Sequence, residues 1–239
     1  MIRLGLLDSV PSQYTDIIGK TDPECFRELF AMVGVFGDMP EYLVSGGVFP
    51  DDIDDCDAYL ITGSPRSVYE DLPWIDQLGR FVRECHRVGK PLVGICFGHQ
   101  LIAQALGGTV RHAEQGWLLG PLGFRVRQEM PWMKPIQEDC SLYFFNHDQV
   151  IDLPAGATCV ASSALCPNVM YTVGDRILCL QPHPEHARSS IAAFLDAIRD
   201  ELTQEQWAAA HASLAVSDTH LRAHETASCV ADAVFGVRA

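Results

Sequence analysis

Two short segments carry side chains that could do chemistry. Gly94-Ile95-Cys96-Phe97-Gly98-His99-Gln100 sets a glycine two residues to either side of a cysteine, where an apolar run gives way to an amphipathic one. This is the sulfur counterpart of the nucleophile elbow, in which a strand turns sharply into a helix and presents the nucleophile at the bend. The tight turn forces a strained backbone at the cysteine, and side chains at the flanking positions would collide with neighbouring backbone. The helix N-terminus that follows favours thiolate over thiol. The second segment, Gln181-Pro182-His183-Pro184-Glu185, directly follows an apolar run. A cysteine nucleophile needs a base within hydrogen-bond reach, and the base needs an orienting acceptor. His183 and Glu185 can supply both from one turn, which Pro182 and Pro184 stiffen. Position 183 lies 87 residues beyond position 96, so only the fold can bring the two together.

The elements that must position them follow from the hydrophobic pattern. Residues 2–7, 42–44, 58–62 and 91–95 read as strands, and 72–88 and 97–106 as helices. Thr21-Asp22-Pro23-Glu24 is a capping box with proline in the first turn, opening a helix whose apolar positions include Phe26, Leu29, Phe30 and Val33. This alternation implies an α/β fold: an open, mostly parallel, doubly wound sheet with helices on both faces, its strand ends lining a crevice. From about residue 109 the texture changes. Short strand-like runs at 109–111, 123–127, 141–145, 157–161, 169–173 and 176–180, broken by Gly, Pro or Asn, suit a small antiparallel extension. A helix is expected at 186–202. The expected division is a domain of residues 1–202 with a C-terminal helical extension, 203–239, packed on it.

The chain has 239 residues, 48% of them hydrophobic, which is globular composition with room for a sizeable core. Seventeen basic against thirty-one acidic residues give a net charge of −14, which argues against nucleic acid or an anionic membrane surface as partner. No apolar run approaches a membrane span, and the N-terminus lacks a signal-peptide core, so the expectation is a soluble cytoplasmic protein. Nine cysteines without a C-x-x-C pair look like neither a disulfide framework nor a zinc module.

The two motifs together, in this order and at this distance, resemble the triad-type class I glutamine amidotransferases, in particular their stand-alone branch, which is GMP-synthase-like or γ-glutamyl-peptidase-like. The likeness covers roughly residues 2–200. Thr62-Gly63-Ser64-Pro65-Arg66-Ser67-Val68 resembles the family's Gly-Gly-Pro-x-Ser loop, with Ser64 in place of the second glycine. The resemblance implies an oxyanion hole formed by the backbone N–H groups of Ser64 and Phe97. It implies substrate contacts from Gln100, from Gly63 in the loop, and from Asn146, His147 and Asp148. The last three lie in a segment similar to the family's His-x-Asp-x-Val. Counting back from Val150 puts Asn146 at the histidine position, whereas aligning His147 takes a one-residue deletion before Asp148. Both alignments stand at this point.

The activity so implied is cysteine-dependent hydrolysis of a γ-glutamyl amide, either glutamine or a γ-glutamyl conjugate, through a γ-glutamyl thioester on Cys96. No step of it calls for a metal or an organic cofactor. Two other readings remain: a glutaminase subunit delivering ammonia to a separate synthase chain, and a non-catalytic relative with a binding role. The acidic run from Asp51 to Asp57 lacks the pattern of a calcium loop and reads as solvated. His211, His220 and His224 show no zinc spacing, and the remaining eight cysteines read as small apolar fillers. Trp117 reads either as a core aromatic or as a border of the pocket. His99 and His186 flank the motifs without an assigned role.

Overall fold

A computed structural model describes residues 2–133 and 138–216. Its strands are β1 (Leu4–Asp8), β2 (Glu41–Leu43), β3 (Ala58–Ile61), β4 (Leu92–Ile95), β5 (Thr109–His112), β6 (Leu118–Val126), β7 (Asp139–Asn146), β8 (Asp148–Asp152), β9 (Ala157–Ser162), β10 (Met170–Val173) and β11 (Ile177–Leu180). The helices are α1 (Asp22–Met32), α2 (Pro73–Val88), α3 (Phe97–Ala105), α4 (Arg188–Ala197) and α5 (Gln204–Val216). Nine strands form one sheet in the order β2-β1-β3-β4-β11-β10-β9-β6-β7, and β5 pairs with β8 in a separate two-stranded sheet.

The first five strands of that order are parallel, and the remaining four continue the sheet in antiparallel register. The parallel strands are buried on both faces, which is why they read as unbroken apolar runs rather than as alternation. Leu4, Leu6, Leu60, Val93, Ile95, Leu178 and Leu180 point to one face, where Phe26, Leu29 and Phe30 of α1 cover them. Leu7, Tyr59, Ile61, Leu92, Ile177 and Cys179 point to the other, under Ile75, Leu78 and Val82 of α2 and Leu101 and Ile102 of α3. The capping box at Thr21 is present in full, its side chain accepting from the Glu24 N–H and Glu24 answering to the Thr21 N–H.

The sequence and the structure part in two places. β8 was not expected: Asp148-Gln149-Val150-Ile151-Asp152 carries two acids and pairs outside the main sheet, so its apolar signal is short. The helix expected from residue 186 starts at Arg188 and ends at Ala197, followed by a single 3-10 turn at Arg199–Glu201. His186 instead belongs to the irregular turn after β11 and is buried. Helix α5 packs with α4 through Ile191, Leu195, Leu202, Ala210 and Leu214, against Tyr143 of β7. The rest of the expected extension, residues 217–239 with His220, His224 and Cys229, lies outside the described residues.

Candidate active site

Cys96 stands between the end of β4 and the start of α3, with φ 50° and ψ −100°. It is the only non-glycine residue with positive φ among the described residues. Such a conformation costs of order 1–3 kcal/mol and persists only where the surroundings impose it. Here they do. The Cys96 N–H donates to the Leu180 carbonyl (2.8 Å) and its carbonyl accepts from the Gln100 N–H (3.1 Å), so β11 holds one side of the turn and α3 the other. The flanking glycines follow from close approach. A Cβ on Gly94 would stand 2.5 Å from the Gly98 carbonyl oxygen, and one on Gly98 would stand 2.5 Å from that of Ile61.

His183 and Glu185 lie just past β11, where the backbone is pinned by a bond from the His183 N–H to the Tyr143 carbonyl (2.8 Å). His183 Nδ1 is 2.7 Å from Glu185 Oε1, and both side chains are buried. Burial alone would depress the imidazole's pKa. The charges of Glu185 and Cys96 outweigh it and hold His183 well above the ordinary histidine value. Glu185 is pulled the other way: burial favours its neutral form, but His183 and His186 together keep its pKa below the usual value.

Gly63 shows how close the two motifs come. A Cβ there would lie 3.1 Å from His183 Cε1, 3.8 Å from Cys96 Cβ and 3.6 Å from Asp22 Oδ2. The loop that carries Gly63 and Ser64 follows β3, and Ser64 has no left-handed backbone, so a serine is accommodated there without strain. The Phe97 N–H belongs to the first turn of α3, whose amides have no acceptor within their own helix. Farther along, Ser67 Oγ and Tyr69 OH donate to the Asp148 carboxylate at 2.6 and 2.9 Å, tying the loop to β8.

The loop after β3 and the two motifs meet at one cavity of about 320 Å³. Cys96, His183, Gly63, Ser64 and Gln100 line it, as do Asn146, His147 and Asp148, so both alignments of that segment place residues on the wall. Gln100 donates its amide hydrogens to the Asp148 carbonyl (2.9 Å) and to Gln181 Oε1 (3.0 Å), and Asn146 Nδ2 donates to the same Asp148 carbonyl (3.0 Å). Phe97 and Glu185 stand behind this wall rather than on it.

Apart from Trp117, which the sequence left open between core aromatic and pocket border, the other lining residues carried no signal that they belong here. Trp117 borders the cavity, its ring edge-on to His147 at 4.5 Å. Tyr14, Ile17 and Ile18 come from the segment after β1, and Phe194 from α4. Asp22, at the start of α1, lies on the wall buried, and burial together with the Glu185 charge raises its pKa well above the carboxylate range. The capping box located this helix start but not what it faces. His186 stacks on His183 at 4.9 Å, with Nε2 3.5 Å from Glu185 Oε1, and burial pushes its pKa down to about 4. His99 serves the scaffold: its Nε2 meets the Asn168 carbonyl at 2.8 Å. Elsewhere burial pushes the thiols of Cys25, Cys85 and Cys166 up to about 12, which keeps them protonated and inert.

The fold has counterparts among known proteins. Residues 48–195 match the family Glutamine amidotransferase class-I, and the chain belongs to that family. It is 31% identical over 201 residues to gamma-glutamyl peptidase 3 of Arabidopsis thaliana, covering 80% of this chain and 81% of that one. It is 34% identical over 149 residues to the glutamine-hydrolyzing GMP synthase of Mycobacterium bovis, but those are 58% of this chain and only 26% of the synthase. A glutamine amidotransferase from Thermotoga maritima shares the fold, with TM-score 0.78 and 18% identity over 98% of both chains. No helix among the described residues is long and apolar enough to cross a membrane.

Proposed function

We propose that the protein hydrolyses the γ-glutamyl amide bond of a γ-glutamyl conjugate through a thioester on Cys96. The observation that carries this reading is the convergence of a strained Cys96 and a buried His183–Glu185 pair on one cavity, at the strand ends of a class-I amidotransferase fold. The raised imidazole pKa favours a thiolate–imidazolium pair. The Cys96 thiolate adds to the γ-carbonyl carbon, and the developing oxyanion faces the N–H groups of Phe97 and Ser64. The C–N bond breaks, and the amine leaves with the proton that His183 holds. Water then adds to the thioester and gives a proton to His183, and glutamate departs as the thiolate is restored. Glu185 keeps the imidazole oriented and its charge balanced.

The choice of a conjugate over free glutamine rests on the apolar part of the cavity lining. Tyr14, Ile17, Ile18, Trp117 and Phe194 form this part, which ammonia cannot use and an organic amine can. Full burial of one large apolar side chain contributes about 1.5–3 kcal/mol, so a leaving group that buries one such group against this lining gains about tenfold or more in kcat/KM. The likeness to γ-glutamyl peptidases points the same way. The likeness to the glutaminase part of a GMP synthase favours a second reading, ammonia delivery to a separate synthase chain.

One assay separates the two. Purified protein is offered glutamine and a panel of γ-glutamyl peptides, and release of glutamate, ammonia and amine is followed. Turnover of a peptide without a partner, at least about tenfold better than glutamine, supports the hydrolase. Glutamine turnover that appears only with a second chain supports the subunit, and full activity in Cys96→Ala would overturn both.

A further inference from the structure

Beside the cavity, three metal-ligating side chains converge that the proposed hydrolysis does not require. β5 and β8 pair antiparallel with His112 opposite Asp148, and His147 immediately precedes β8. The register therefore gathers residues that are 35 apart in sequence, which is why spacing alone does not reveal them. His147 Nδ1 lies 2.9 Å from Asp148 Oδ1 and 3.0 Å from His112 Nδ1, and the third side, His112 Nδ1 to Asp148 Oδ1, is 3.5 Å. We propose that His112, His147 and Asp148 form a binding site for a divalent cation of the zinc class, with at least one coordination position left for water or for a carboxylate.

The geometry suits an ion better than protons. A tetrahedral zinc with bonds of about 2.0–2.1 Å holds its ligand atoms about 3.3 Å apart. The observed triangle brackets that edge. Each ring Nδ1 can carry one proton, so His147 cannot donate fully to Asp148 Oδ1 and to His112 Nδ1 at once. A cation seated between them satisfies both lone pairs and the carboxylate together.

The supporting contacts are also in place, since outer partners fix ligand orientation. Ser67 Oγ and Tyr69 OH donate to the Asp148 carboxylate (2.6 and 2.9 Å), and the Trp117 ring edge-on to His147 fixes that imidazole. His112 is 62% exposed and gives the ion a path from solvent. His147 and Asp148 also line the cavity, so the ion stands at its rim. The Asp148 carbonyl holds the side chains of Gln100 and Asn146, which makes this rim and the cavity wall one hydrogen-bonded unit. The site does not depend on the role proposed for Cys96.

The test is metal binding by the full-length protein after chelator treatment, with zinc followed by calorimetry and cobalt by its visible absorption. The expected result is a site of one equivalent that His112→Ala and His147→Ala each weaken at least about tenfold, while Cys96→Ser leaves its affinity unchanged. Cobalt at this site gives ligand-field bands without thiolate charge transfer. Three results would overturn the proposal: no zinc binding by the wild type, equal affinity in both histidine variants, or a thiolate band that vanishes in Cys96→Ser.

Discussion

Two buried histidines flank the Cys96 elbow, and the structure treats them in opposite ways. His183, past β11, has a carboxylate 2.7 Å from its Nδ1 and a thiol facing it, and its pKa rises well above the ordinary value. His99, on the first turn of α3, has only the Asn168 carbonyl, and burial pushes it down to about 3. Both are buried to a similar depth, so burial alone does not make a base. What separates a charge-bearing imidazole from a structural one is a carboxylate held beside it, as Glu185 is by the turn after β11.

Removing the proposed base gives the largest expected effect: His183→Ala should lower kcat on a γ-glutamyl peptide at least about a thousandfold, by steady-state kinetics. Glu185→Gln keeps the shape and deletes the charge. It should lower kcat by about a hundredfold or more, and the His183 imidazole, followed by NMR, should titrate at lower pH than in the wild type. By contrast, His99→Gln should leave kcat within about threefold, since His99 does not line the cavity.

Stability against pH sharpens the same contrast. The folded pKa of His99 lies below its unfolded value, so the unfolded chain takes up a proton that the folded chain refuses. Its contribution is complete above about pH 6.5 and is lost as pH falls toward 3. Between pH 7 and 5 this amounts to roughly 2 kcal/mol, read by urea unfolding, and His99→Gln should remove that part of the slope. His183 has the reverse sign: its contribution is present below its unfolded pKa and declines only as pH rises through the raised folded value. A further effect falls on selectivity. Trp117→Ala should cut the preference for a γ-glutamyl peptide over glutamine by about tenfold, with glutamine turnover nearly unchanged.

The contrast between the two histidines also marks what a sequence can show. His183 was legible because its acceptor lies two residues away and its strand directly before it, so the whole unit is local. Cys96 was legible for a similar reason, since the collisions that require Gly94 and Gly98 are fixed by the strand-to-helix turn itself. The parallel core was legible from its doubly buried strands. Asp22 and His112 were not, and Trp117 only as one of two readings, because each reaches the cleft or its rim through tertiary packing or strand register. β8 was hidden by its acidic ends, and with it the pairing that sets His112 against Asp148. His186 drew no role because a helix was expected to begin at it, whereas the turn after β11 continues and buries it beside Glu185.

The claim at the centre is a covalent one: the γ-glutamyl group passes through the sulfur of Cys96. The direct measurement is mass spectrometry of the protein quenched in acid within its first turnovers on a γ-glutamyl peptide. The account predicts a mass increase of one glutamyl residue on the peptide that carries Cys96, labile to hydroxylamine and lost in Cys96→Ala together with amine release. Amine release in the burst without any adduct at Cys96, or with the adduct on another residue, would contradict it.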